Sequence, residues 1–230
     1  MGSALLWGAV AASSLVIGAL LGLARQWPDQ VVGLVLAFGA GALVSAVSFE
    51  LAQDGVEVGG GASVGIGLAV GAFTYWGLDR LLDRHSGGAG TALALGAFLD
   101  GIPEQLVLGI GLATGGEVSI ALLVAIFVSN LPEAIGSASQ MRAAGRTPSV
   151  IRRLWLVVAA ICLVATLVGY AIADTASGHL QGGINGFAAG ALLVMLVDSM
   201  VPEATRKAGT TAGLVTALGF AVAAGLSSLS

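Results

Sequence analysis

The chain has 230 residues, 57% of them hydrophobic and 10% charged, and its mean hydropathy is +0.97. A soluble domain carries about 25% charged residues, and the 9 Lys+Arg and 13 Asp+Glu present cannot build a water-facing surface of this size. A soluble globular fold, a nucleic-acid-binding surface and a disulfide-stapled secreted module are thereby excluded, the last also because Cys162 is the one cysteine, in an apolar context that predicts burial.

At about 20 apolar residues per span plus a short connection, the length accommodates roughly eight transmembrane helices and little else. Apolar runs bounded by Gly, Pro or charge predict an all-α polytopic membrane protein, a single transmembrane unit over residues 1–230. Its spans are expected at about 4–24, 31–52, 60–82, 90–113, 117–141, 150–173, 181–204 and 209–228. The first run has no basic residue before it and Arg25 directly after it, the polarity of an uncleaved span with its N-terminus outside. Arg25 follows span one, Arg80 and Arg84 follow span three, Arg142, Arg146, Arg152 and Arg153 join five to six, and Arg206 and Lys207 join seven to eight. That accounts for every basic residue. The alternate connections hold only acids and His179: Asp54 and Glu57, then Glu117, then Asp174. The segregation predicts eight spans with both termini outside.

An internal echo accompanies this order. Phe38 to Leu43 in span two (FGAGAL) matches Phe187 to Leu192 in span seven (FAAGAL), and Gly101 to Glu104 in span four (GIPE) matches Asn130 to Glu133 in span five (NLPE). Matched spans run in opposite directions, so spans one to three are expected to mirror six to eight around a central pair, a 3+2+3 inverted repeat. Gly182, Gly186 and Gly190 recur at four-residue spacing, as do Gly18 and Gly22. Such stripes let helices approach closely, within one bundle or across a homodimer.

Spans four and five carry the chemistry. Asp100 and Glu104, four apart, share one helical face near mid-membrane, and Ser129, Asn130 and Glu133 occupy the same depth in span five. An Asp at the bilayer centre costs roughly 2.5 to 3.5 kcal/mol on insertion scales. The topology leaves no basic residue at that depth to offset it, so protonation, hydration or a bound cation must. Two helices delivering oxygen ligands at equal depth favour a cation. Pro103 and Pro132 each lack an N–H and free the carbonyls of Leu99 and Val128, as the broken helices of transporters do around their ions.

The run Asp100-Gly101-Ile102-Pro103-Glu104-Gln105 and the run Ser129-Asn130-Leu131-Pro132-Glu133-Ala134 resemble the paired metal-binding motifs of the ZIP family of divalent-metal transporters, usually written HNxPEG and HExPHE. Asp198 to Ala204 resembles that family's seventh-span pattern ending in PEA, and Phe38 to Leu43 resembles its small-residue second span. The resemblance covers the chain in order. It implies eight helices in a 3+2+3 inverted arrangement and movement of zinc, iron or manganese toward the cytoplasm. Departures are specific: Asp100 and Gly101 stand where the family has His and Asn, and Ser129 stands where it has His. Span six has no acid before Asp174, which argues against a two-metal centre, and the family's His-rich third connection is reduced to His85.

Asp100, Glu104, Ser129, Asn130 and Glu133 offer only oxygen, which suits manganese, magnesium, calcium or ferrous iron, while zinc also accepts carboxylate ligands. Glu50 in span two, and Asp198 and Glu203 in span seven, are candidates for the transport path, with an interfacial ion pair to Arg206 the other reading of Glu203. The expected protein is a plasma-membrane divalent-cation transporter, not an enzyme. It has no prosthetic group, the metal ion is its substrate, its partners are lipid and that ion, and a homodimer is open. The rival readings are an intramembrane aspartyl protease using Asp100 and Asp198, which lacks a surrounding Gly-x-Gly-Asp pattern, and a ZIP-like protein that has lost metal transport.

Overall fold

A computed structural model of the chain describes the backbone of residues 1–85, 89–114, 119–175 and 177–228. Side chains are described for these except 82–85, 89–100, 114, 174 and 175. Within the described residues the protein is all helical, with eight helices: α1 (Gly2–Ala24), α2 (Asp29–Gly59), α3 (Gly61–His85), α4 (Ala89–Thr114), α5 (Ile120–Ala143), α6 (Pro148–Thr175), α7 (Gly178–Ala208) and α8 (Thr211–Ser227). Among the described residues, six helices are long and apolar enough to cross a membrane, and Gly101–Ala113 and Thr211–Ser227 add two shorter apolar stretches. Leu214, Phe73, Ile66 and Val197 are exposed to 77, 74, 68 and 67%, side chains that belong in hydrocarbon rather than water. The protein is a polytopic membrane protein.

Helices α2 and α7 run beyond the apolar stretches read from the sequence, to Gly59 and Ala208, because each passes through a π-helical segment instead of breaking at its polar residues. The segments are Val47–Gln53 in α2 and Leu196–Met200 in α7. Such a segment takes an i to i+5 hydrogen bond, reorients the side chains beyond it, and is frequent at functional sites. Adding 149 to the bounds of α2 gives those of α7, and the same offset carries the start of one π segment onto the other.

Close packing follows the glycines. The α2–α8 contact is so tight that a Cβ on Gly41 would lie 1.9 Å from the Thr216 carbonyl oxygen, and one on Gly219 2.0 Å from that of Phe38. In the α3–α7 contact, Gly71 meets the Phe187 carbonyl and Gly190 that of Leu68. The stripe Gly182, Gly186, Gly190 is taken up within the chain, against Gly55, Val64 and Leu68, and Gly18 and Gly22 pack on Leu131 and Ile135 of α5. These stripes are consumed by intrachain packing, so a dimer would have to use other surfaces. Glycine costs helix propensity, but at these positions it allows backbone approach that no side chain permits.

Helices α4 and α5 lie against each other, α4 also packing on α6 and α5 on α1. Gly169 of α6 meets the Leu106 carbonyl just as Gly22 of α1 meets that of Ile135. The two Pro-Glu pairs thus occupy the middle of the bundle, each buttressed by a flanking helix.

Candidate metal centre

Helix α4 runs through Pro103 and α5 through Pro132 without ending. Glu104, one residue past the first proline, is only 1% exposed, and Ser129 and Asn130 of α5 are equally buried. The Asn130 side-chain amide donates to Glu104 Oε2 at 2.7 Å, and the Ser129 hydroxyl lies 3.0 Å from both Glu104 Oε1 and the Ile126 carbonyl. Each carboxylate oxygen of Glu104 therefore meets a neutral donor from the neighbouring helix. Interaction with ordered donors lowers the cost of burying such a group.

Glu133 is half-buried on α5. The backbone of Asp100 lies in α4, one turn before Glu104, and its side chain is outside the described residues. Of the five oxygen-donor residues read from the sequence, the structure thus brings Glu104, Ser129 and Asn130 into direct contact. Among the described residues, no three of His, Cys, Asp and Glu stand close enough to share a metal ion.

Beside this cluster lies a polar layer that sequence reasoning missed. Gln105 is fully buried, its Oε1 accepting from the Thr166 hydroxyl of α6 at 2.5 Å, while its Nε2 has no hydrogen-bond partner among the described residues. The buried Cys162 lies against Gly101, where a Cβ would come within 2.8 Å of its sulfur. Thr166 and Cys162 are four apart in α6, on the face turned to α4. That spacing was available in the sequence, but nothing in it distinguished these two from packing residues.

The remaining path candidates separate. Glu50, in the first π segment, is half-buried, accepts from the Ser227 hydroxyl at 3.1 Å, and lines a cavity of about 540 Å³. Val107 and Leu108, on the turn after Glu104, also line it. Asp198, in the second π segment, is exposed. Glu203 joins an ion-pair group: Lys207 Nζ stands 2.9 Å from Asp29 and 3.6 Å from Glu203, and Arg206 lies 3.5 Å from Glu203. The partner expected for Glu203 was Arg206. Lys207, which also ties the end of α7 to the start of α2, was not foreseen because Asp29 is 178 residues away. His179 is exposed and its ring sits 2.9 Å from the Gly59 carbonyl, bridging α7 to the end of α2.

No protein-family model matches the chain. Over 192 residues, 78% of this chain, it is 27% identical to a protein of Arabidopsis thaliana described as an inferred zinc transporter. The chain spans 31% of that relative's length. The likeness is a distant homology and is consistent with the ZIP resemblance of the motifs.

Proposed function

We propose that this protein is a ZIP-like transporter that moves a divalent metal cation, of the zinc, iron or manganese class, across a cell membrane. The observation that carries the reading is Glu104: a carboxylate 1% exposed in a membrane helix, oriented by Ser129 and Asn130 of the adjacent helix. Such an intramembrane acid marks an ion pathway far more often than a packing position. Glu104 and Glu133 act as the charged ligands, Asp100 adds a third carboxylate one turn away, and Ser129 and Asn130 supply neutral oxygen. Metal binding releases whatever protons these carboxylates hold and exchanges the neutral donors' hydrogen bonds for metal contacts.

The 149-residue correspondence of α2 with α7, π segment included, supports the 3+2+3 inverted repeat. So does the pairing of α2 with α8 and of α3 with α7, which exchange under that repeat. Pseudo-symmetric halves around a midplane site are the usual architecture of alternating access. With the basic residues on the cytoplasmic side, both termini lie outside. The distant relative, described as an inferred zinc transporter, points to the same class and away from enzymatic activity. Asp198, exposed on the second π segment, gives no support to an aspartyl dyad.

The test is uptake of Zn²⁺, Mn²⁺ and Fe²⁺ into proteoliposomes holding the purified chain, beside the metal bound per chain. Glu104→Ala and Glu133→Ala should each abolish uptake while membrane insertion is retained. Undiminished uptake in both variants would overturn the site assignment.

A further inference from the structure

The basic residues of the chain differ in the company they keep. Arg206 and Lys207 meet Glu203 and Asp29 in ion pairs, and Arg80 and Arg84 alternate with Asp79 and Asp83 along the chain. Around Arg25, Arg142, Arg146, Arg152 and Arg153 the chain supplies no such counter-charge. Residues 1–28 and 134–173, which make up α1, the end of α5 and nearly all of α6, contain no Asp or Glu. Among the described residues, neither Arg25 nor Arg142 forms an ion pair. Membrane orientation does not account for the difference, because acids contribute little to the topology rule and paired arginines serve it equally well.

Arg25 and Arg142 are also held in place by contacts that leave most of their donors free. Arg142 donates to the Leu23 carbonyl in the last turn of α1. The Arg25 guanidinium lies 4.7 Å from the centroid of the Trp27 ring, and Trp27 Nε1 in turn donates to the Leu21 carbonyl at 3.1 Å. A guanidinium carries five N–H donors. The first contact uses one of those on Arg142, and stacking on an aromatic face uses none of those on Arg25. Both arginines line one cavity of about 390 Å³, with Gly22, Gln26 and Ser139 on its wall and no acid. Helices α1 and α5 are each long and apolar enough to span a membrane and end at Ala24 and Ala143, so the cavity lies at the depth of the lipid headgroups.

We infer that Arg25 and Arg142, with Ser139 and Gln26 beside them, bind the phosphate of an anionic phospholipid. The planar guanidinium fork matches phosphate oxygens in pairs, and headgroup phosphate is the anion that the bilayer itself supplies at this depth. Basic pockets between transmembrane helices take such headgroups. Bound there, the phosphate bridges the end of α1 to the end of α5, the helix that carries Ser129 and Asn130.

The test is native mass spectrometry of the purified chain in neutral detergent micelles at low ionic strength, titrated with phosphatidylglycerol or phosphatidylcholine. The first phosphatidylglycerol should bind at least about fivefold more tightly than the first phosphatidylcholine, the worth of one charge near a basic residue. Arg25→Gln with Arg142→Gln should weaken phosphatidylglycerol binding about 20- to 30-fold, the worth of two arginines. Arg80→Gln with Arg206→Gln removes as much charge elsewhere and should change it by less than about twofold. Ser139→Leu fills the cavity while leaving both arginines and the Leu23 contact, and should reduce the preference for phosphatidylglycerol even where the arginine variant loosens α1. Inorganic phosphate should displace no more lipid than chloride does at the same ionic strength. Equal affinity for the two lipids, equal loss in the Arg80/Arg206 variant, or displacement by inorganic phosphate beyond that of chloride overturns the inference, the last by assigning the cavity to a soluble anion.

Discussion

At the scale of the residue, Glu104 and its two donors define how a carboxyl group is accommodated in this bundle. Ser129 and Asn130 are consecutive on α5, so one helical position aims both at a single carboxylate, each meeting a different oxygen. The arrangement fixes orientation without bringing in a positive charge that would compete with a metal. Asn130 is the firmer of the two, at 2.7 Å and without a second acceptor among the described residues, whereas the Ser129 hydroxyl is shared with the Ile126 carbonyl. Asn130→Ala should therefore cost about 1 to 3 kcal/mol of stability, as expected when a buried acceptor loses its donor. It should also weaken metal binding about 10- to 100-fold, the usual effect of removing a group that orients a ligand. Thermal unfolding and metal titration of the same preparation read both. An Asn130→Ala variant with full metal affinity would mean that Glu104 is oriented by other contacts.

Part of this site was readable in the sequence and part was not, and the division has a physical reason. The spacing of Asp100 and Glu104 on one face, and the equal depth of Asn130 and Glu133, follow from helical periodicity, which the apolar runs supplied. Whether Glu104 meets Asn130 or Glu133 depends on the relative rotation of α4 and α5, and sequence period says nothing about that angle. Gln105 and Thr166 escaped notice for the same reason, since their hydrogen bond joins helices 61 residues apart. The cavity acids Asp54 and Glu57 read as a polar connection because span two was expected to end near residue 52. In the structure the π segment carries the helix through them to Gly59, turning a loop into the wall of a cavity.

At the scale of the element, small residues decide which helices touch. Gly41 and Gly219 set α2 against α8, while Gly71 and Gly190 set α3 against α7, and in each contact one backbone lies directly on the other. No rotamer change can relieve an added methyl there, because the obstructing atom is a main-chain carbonyl. Gly41→Ala should destabilise the bundle by about 1 to 3 kcal/mol through overpacking, or more where the helices cannot separate. Gly213, in α8, has open space where a Cβ would stand. Gly213→Ala should be neutral or stabilising by up to about 1 kcal/mol, since alanine is the better helix former. Unfolding temperature in one detergent compares the pair directly, and equal effects would show that the α2–α8 contact yields more readily than its geometry implies. The contrast also separates two uses of glycine that composition alone merges: 36 glycines in the chain tell nothing of which ones touch a neighbour.

At the scale of the whole molecule, orientation in the membrane is carried by charge rather than packing. Arg142 in the last turn of α5, Arg146 in the connection and Arg152 and Arg153 in the first two turns of α6 gather at one end of the bundle, and Arg142 also donates to the Leu23 carbonyl at the end of α1. That contact gathers Arg142 and Arg25 around one small cavity with Gly22 and Ser139, so the basic residues of two connections share one end of the bundle. Lys207 does the equivalent for α7 and α2 through Asp29. The connection between α6 and α7 has no basic residue and, with Asp54 and Glu57, belongs to the opposite charge class. Positively charged connections are retained in the cytoplasm, so Thr147 and Ser177, both exposed, should face opposite compartments. Cys162 is fully buried and is the one cysteine, so Cys162→Ser gives a background with no thiol. In that background, a membrane-impermeant maleimide applied to intact cells should label Ser177→Cys and spare Thr147→Cys, with both labelled after permeabilisation. The reverse pattern would invert the topology and place the Asp54–Glu57 cavity on the cytoplasmic side.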